Sequence, residues 1–190
     1  MTTAAEFLKA ADPAAALKAL SDDVRARPSD SKHRVFMAQL LCVLGQWERA
    51  LNQLTVAAEL DALAVPMKQV YGEAVRCEGL RAEVFAGTRT PMIFGQPDEW
   101  LALLIESLLR QGRGESELAE DLRQRAFDGA PAIGGTVDGK PFEWLSDADM
   151  RLGPVLEAFV NGKYYWIPYA RLAHIKIEPP EDLRDCVWMP

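Results

Sequence analysis

Asp147 and Asp149, two residues apart in Trp-Leu-Ser-Asp-Ala-Asp-Met-Arg, are the side chains of this sequence whose types and spacing come nearest to chemistry. On an extended strand residues i and i+2 share one face, so the two carboxylates could share a proton or bind a hard cation such as Mg²⁺. Glu157 and His174 are the candidate helpers of such a hydrolase or metal site. A second reading is structural. Asp147, after Ser146, serves as an N-cap or turn residue, and Asp149 pairs locally with Arg151 before Gly153-Pro154 redirects the chain. D-x-D alone is common, and metal sites ask for more ligands than this stretch offers. No glycine-rich phosphate loop or nucleophile motif accompanies the pair, so no catalytic residue, metal or cofactor is assigned. The structural reading is preferred, with Trp144, Tyr164 and Trp166 packing beside the charges.

Composition narrows the partners. The 190 residues are 49% hydrophobic and 26% charged, as in an ordinary folded protein, and the net charge is -7. Without a Lys/Arg excess there is nothing to displace phosphate counterions, which disfavours nucleic acid and anionic membrane surfaces and leaves a protein or small-ligand partner. Cys42, Cys77 and Cys186 form no C-x-x-C pair, and an odd count does not suggest a disulfide framework. With no leader-like start and no apolar run long enough for a bilayer, a cytoplasmic protein is expected.

The elements that must position these residues fall into an α+β pattern. Residues 1–130 read as helical, rich in Ala, Leu, Glu and Arg with Pro and Gly as punctuation. Residues 4–10 and 13–27 form a first helix pair, with Asp12 as N-cap and Pro13 at the first helical position. A central helix follows around residues 35–44, then one whose apolar stripe is Trp47, Ala50, Leu51, Leu54 and Ala58. The segment Gly-x-Trp-x-x-Ala-Leu-x-x-Leu resembles the second helix of a tetratricopeptide repeat. Ala11, Gly45 and Gly79 follow one another at 34 residues, the period of that repeat, the third being degenerate. After a turn-rich passage at 87–97, Asp98 caps a helix burying Trp100, Leu101, Leu104, Ile105, Leu108 and Leu109. A last helix turns Leu118, Ala119, Leu122 and Ala126 inward. His33, flanked by Lys32 and Arg34, is expected on the solvated surface.

Residues 131–190 change to Gly, Val, aromatic and Pro and predict a small β-rich domain. Asp138-Gly139 and Asn161-Gly162 are hairpin turns, and in residues 163–167 alternation places Tyr164 and Trp166 on one face. Residues 173–177 are expected to form a further strand, carrying His174, and residues 186–188 to start another. An ending on Val-Trp-Met-Pro then leaves Val187 and Trp188 little to pack against and predicts a shortened form of something longer. Stacked helix pairs leave a concave face for an extended peptide or a helix, with Arg34, Gln39 and Gln69 as the expected contacts.

The run from Trp144 through Asp147, Asp149, Arg151, Gly153, Pro154, Tyr164 and Trp166, followed by Leu-Arg-Asp-Cys-Val-Trp-Met-Pro with Arg184, Asp185 and Trp188, resembles the ImpE/TagJ family of type VI secretion accessory proteins. Arg-Pro-Ser-Asp at 27–30, Gly-Gln-Trp-Glu-Arg-Ala at 45–50, Phe85-Ala86-Gly87 and Gly-x-x-x-Gly-Lys-Pro-Phe-x-Trp at 135–144 extend the likeness. The resemblance implies a non-enzymatic cytoplasmic adaptor. Its partner would be the small subunit of the contractile sheath, bound through that subunit's N-terminal helical region, with a link to sheath disassembly by an AAA+ ATPase. It also implies that further strand follows the Leu-Arg-Asp-x-x-Trp-x-Pro passage.

Overall fold

The computed structural model describes residues 3–190. Helices α1 (Ala4–Lys9), α2 (Pro13–Ala26), α3 (Ser31–Val43), α4 (Trp47–Leu60) and α5 (Val65–Phe85) come first, then a short strand β1 (Met92–Ile93) and helices α6 (Glu99–Gly112) and α7 (Ser116–Gly129). Strands β2 (Gly135–Val137), β3 (Lys140–Phe142), β4 (Val155–Val160) and β5 (Lys163–Pro168) follow. The architecture is α+β, helical repeats followed by a small β region. The chain groups into two compact units, one formed by the described residues up to Gly72 with Lys176–Pro190, the other by Glu73–Ile175. This grouping divides inside α5 and after the sheet, whereas composition changes near residue 131.

The first unit is built from capped helix hairpins. Asp12 accepts from Ala15 N at 2.9 Å with Pro13 at the first helical position of α2, and Asp30 accepts from Lys32 N at 3.0 Å to start α3. The 34-residue relation has a physical counterpart in the helix ends. Ala11 (φ 55) and Gly45 (φ 66) both turn left-handed, and Asp12 N→Phe7 O at 2.9 Å repeats as Gln46 N→Leu41 O at 2.8 Å. Gly79, expected to continue the series, lies within α5 and makes no turn. Among α2 to α4, small Ala16, Ala38 and Ala50 are fully buried beside Leu20, Leu40, Leu41 and Leu54, which lets the helices approach closely.

The end of the chain differs from expectation. Residues 173–177 form no strand, His174 is exposed, and residues 186–188 form a turn. Leu183, Val187 and Trp188 pack against the core of the first unit. Tertiary burial of two large side chains has overridden the strand propensity of Val-Trp.

In the second unit α6 and α7 pair, with Ser107 Oγ donating to Ala119 O at 2.8 Å inside the contact. Ala119, Leu122 and Ala126 are buried as expected, while Leu118 is exposed. Asp98 stands at the N-cap of α6 without a side-chain bond to the helix and pairs instead with Arg171 Nη2 at 3.0 Å. Arg171 also donates to Phe94 O and Gln96 O. The sheet order is β1-β5-β4, with β4 and β5 antiparallel and β1 parallel to β5 through Met92↔Tyr165 and Ile93↔Trp166. Both expected hairpins are present, with positive φ at Asp138, Gly139, Asn161 and Gly162 as a two-residue type I′ turn requires. Cross-strand pairing puts Glu157 opposite Trp166 and Phe159 opposite Tyr164, so Val155, Glu157, Phe159, Tyr164 and Trp166 share the face toward the core of this unit.

Candidate functional site

The two acids of the D-x-D stretch do not face each other as a catalytic pair. Asp147 Oδ1 accepts from Asp149 N at 2.7 Å, and Asp149 Oδ1 accepts from Arg151 N at 2.9 Å, two successive turns in which each carboxylate holds the amide two residues on. Arg151 closes on Asp149 with Nε at 2.9 Å from Oδ1 and Nη2 at 2.5 Å from Oδ2. That contact holds the Asp149 carboxyl below its ordinary value, and it raises Arg151 in turn. Main-chain bonds finish the loop: Asp147 N→Gly153 O at 2.7 Å and Gly153 N→Asp149 O at 3.0 Å. Gly153 has φ 55, and a Cβ placed there would lie 2.4 Å from the Phe127 ring. Only glycine fits both the turn and the close approach to α7. Pro154 fixes the exit, its carbonyl accepting from Tyr169 N at 3.1 Å.

Behind this loop runs a polar chain that joins α5 to the β4–β5 hairpin. Trp166 Nε1 donates to Tyr164 OH at 2.7 Å, and Tyr164 OH donates to Glu157 Oε1 at 2.6 Å. Arg81 reaches the same carboxylate with Nε at 2.7 Å from Oε1 and Nη2 at 3.1 Å from Oε2. Burial, then the adjoining Glu157, pushes the Tyr164 hydroxyl far up, and the Glu157 bond raises Arg81. Phe85, one turn beyond Arg81, receives both Arg81 at 4.6 Å and Arg151 at 4.2 Å from its ring centroid. Glu157 is thus engaged as a structural acceptor. Its signal in the sequence was a lone carboxylate within the apolar strand Val-Leu-Glu-Ala-Phe-Val, Phe85 stood out only in the Phe85-Ala86-Gly87 likeness, and Arg81 carried no signal beyond its i, i+4 spacing to Phe85.

The remaining expected residues separate. Trp144, expected to pack beside the acids, is 68% exposed. Arg184 and Asp185 belong to the first unit, where Asp185 is buried and accepts from Arg184 Nε at 2.8 Å and Glu181 N at 2.9 Å. Those bonds lower the Asp185 carboxyl. Trp188 stacks on Trp47. Arg34 donates to Pro28 O at 3.0 Å and Gln53 Oε1 at 3.0 Å, Gln39 donates to Tyr71 OH at 3.2 Å, and Gln69 is exposed on α5. His33 is half-buried rather than solvated, its Nδ1 2.8 Å from Asp30 Oδ2. Among the described residues no three His, Cys, Asp or Glu side chains gather in a metal-binding arrangement, and no helix is long and apolar enough to cross a membrane.

Three comparisons bear on this arrangement. A family model described as ImpE protein matches residues 139–190, which include the D-x-D loop, the β4–β5 hairpin and the docked tail. The type VI secretion system accessory component TagJ of Pseudomonas aeruginosa is 54% identical over 187 residues, 98% of this chain and 66% of that relative. The chain therefore spans just under two thirds of the relative's length. The crystal structure of protein VPA1032 from Vibrio parahaemolyticus has the same fold, with a TM-score of 0.88 at 24% identity over 98% of this chain and 70% of that one.

Proposed function

This chain belongs to the ImpE/TagJ family, and from that premise we propose that it is a non-enzymatic accessory protein of a type VI secretion system. It acts as an adaptor that holds the N-terminal helical region of the small sheath subunit, in the cytoplasm, and so takes part in sheath assembly or in disassembly by the system's AAA+ ATPase. The observation that carries this reading is the 54% identity over 187 residues to an accessory component of that system. Physical support comes from the helix hairpins of the first unit, since stacked helix pairs offer a face on which an amphipathic helix can lie. Exposed Gln69 and the half-buried Arg34 and Gln39 are the proposed contacts. The D-x-D loop supports the same reading, because both carboxylates are engaged with main-chain amides.

Calorimetric titration of the chain with a peptide of the sheath subunit's N-terminal helix tests the proposal. Saturable one-to-one binding is expected, and no heat from a folded chain would remove it.

A further inference from the structure

An apolar hollow in the second unit plays no part in the D-x-D loop. Val84 of α5, Pro91 and Tyr164 of β5 form its buried floor, Leu80 and Met92 form its walls, and it holds about 150 Å³ and opens to solvent. Its shape is set by fixed points. Gly87, with φ 68, seats the end of α5 against α6, where a Cβ would lie 2.3 Å from Leu108 O. Thr88 N and Oγ1 both donate to Glu83 O, at 3.1 and 2.9 Å, and Met92 is held in the β1–β5 ladder opposite Tyr165. Residues 89–91 therefore bridge two anchored ends. The Tyr164 ring cannot swing in to fill the space, because its hydroxyl donates to Glu157 Oε1 at 2.6 Å and accepts from Trp166 Nε1 at 2.7 Å. What is left is a preformed apolar hollow, the form that binding sites take.

Size and charge narrow what fits. Small-molecule and cofactor sites run to roughly 300–1,000 Å³, whereas a hollow of about 150 Å³ takes a single benzene-sized apolar group. That is one leucine or methionine side chain. The rim is cationic, with Arg89 and the exposed Lys163 standing beside the Thr90 hydroxyl. Glu83 is held by Arg89 at 2.8 Å, and Glu73, beside Gly162 at the hairpin tip, faces Arg76 at 4.0 Å. Lys163 makes no ion pair among the described residues. On a chain of net charge -7 this ammonium group is a point of attachment for an acid.

We propose that the hollow anchors an acidic peptide segment of a protein partner, which buries one leucine or methionine side chain against Val84 and Tyr164 and sets a neighbouring carboxylate on Lys163. An extended peptide supplies both groups at once, since adjacent residues stand about 3.8 Å apart along the chain. The site belongs to the second unit, so it adds a contact to the helix-binding face proposed for the first and stands or falls separately from it.

The test is a titration of the chain, followed by amide and methyl NMR, with the acetylated and amidated peptide Asp-Glu-Leu-Glu-Asp as the probe. Saturable shifts are expected at Val84, Met92, Lys163 and Tyr164, and the analogue with alanine for leucine is expected to bind at least about tenfold more weakly. Lys163→Glu, at an exposed position beside the hairpin turn, is expected to weaken the leucine peptide at least about threefold with the fold kept. No saturable shift, equal affinity for the leucine and alanine peptides, or a leucine peptide indifferent to Lys163→Glu overturns the proposal. Isovalerate saturating the same resonances where the peptide does not overturns it in favour of a small acid. Movement of those resonances with protein concentration alone overturns it in favour of a contact between copies.

Discussion

Arg81 and Glu157, 76 residues apart in the sequence, meet in a two-bond guanidinium–carboxylate pair at 2.7 and 3.1 Å. The pair ties α5 to β4, and Tyr164 extends it to the indole of buried Trp166. Arg81 is partly exposed, so screening limits the loss from Arg81→Ala to about 1 kcal/mol. Tyr164→Phe deprives the buried Trp166 N–H of its acceptor and should cost about 1–3 kcal/mol. Urea unfolding followed by tryptophan fluorescence should place Tyr164→Phe below Arg81→Ala in stability, and the reverse order would contradict the role given to the hydroxyl.

Asp149 separates a turn from a catalytic site by its tolerance. Asparagine keeps an oxygen for the Arg151 amide, so Asp149→Asn should lose under about 1 kcal/mol, whereas Asp149→Ala loses both ties and about 1–2 kcal/mol. Thermal melts of the two variants check the ranking. Asparagine as harmful as alanine to a hydrolytic activity, with melting unchanged, would restore the carboxylate pair as a reactive centre.

Ala11 holds the left-handed turn that Gly45 holds 34 residues later. Since alanine is strained there, Ala11→Gly should stabilise the first unit by about 1 kcal/mol, and Gly45→Ala should destabilise it by a similar amount. Equal denaturation midpoints for Ala11→Gly and the parent would argue against the equivalence of the two helix ends.

Acidification should weaken both units through particular carboxyls. Asp149 and Asp185 titrate below their ordinary value in the folded chain, so the unfolded chain takes up protons first as pH falls past about 4. Their contribution is present above that pH and is lost as pH falls through the folded values. The urea midpoint should decline below about pH 4, less steeply in Asp149→Asn and Asp185→Asn. Identical slopes in parent and variants would show that other groups govern the acid limb.

Local signals were legible in the sequence, and contacts between distant segments were not. Asp138-Gly139 and Asn161-Gly162 announced their hairpins because a two-residue turn needs positive φ that few residues accept. Tyr164 and Trp166 were placed on one face by period-two alternation, and the caps at Asp12 and Asp30 stand where polar residues precede apolar periodicity. The parallel pairing of β1 with β5 was hidden, since two residues carry no period. Val187 and Trp188 resembled a strand start because β propensity registers bulk and branching, while their destination, the core around Trp47 and Tyr71, lies far back along the chain. Gly79 kept the 34-residue interval but sits in a helix whose neighbours impose no turn.

The most direct test is calorimetry of the sheath subunit's N-terminal peptide against three proteins: the parent chain, the doubly substituted Arg34→Ala/Gln69→Ala and the doubly substituted Asp147→Asn/Asp149→Asn. An adaptor that uses the first unit binds the peptide in the parent and in the Asp variant alike, and loses at least about tenfold in Arg34→Ala/Gln69→Ala, roughly 1.4 kcal/mol. Binding abolished in the Asp variant and intact in Arg34→Ala/Gln69→Ala, with all three proteins folded, would contradict it and move the function to the D-x-D loop.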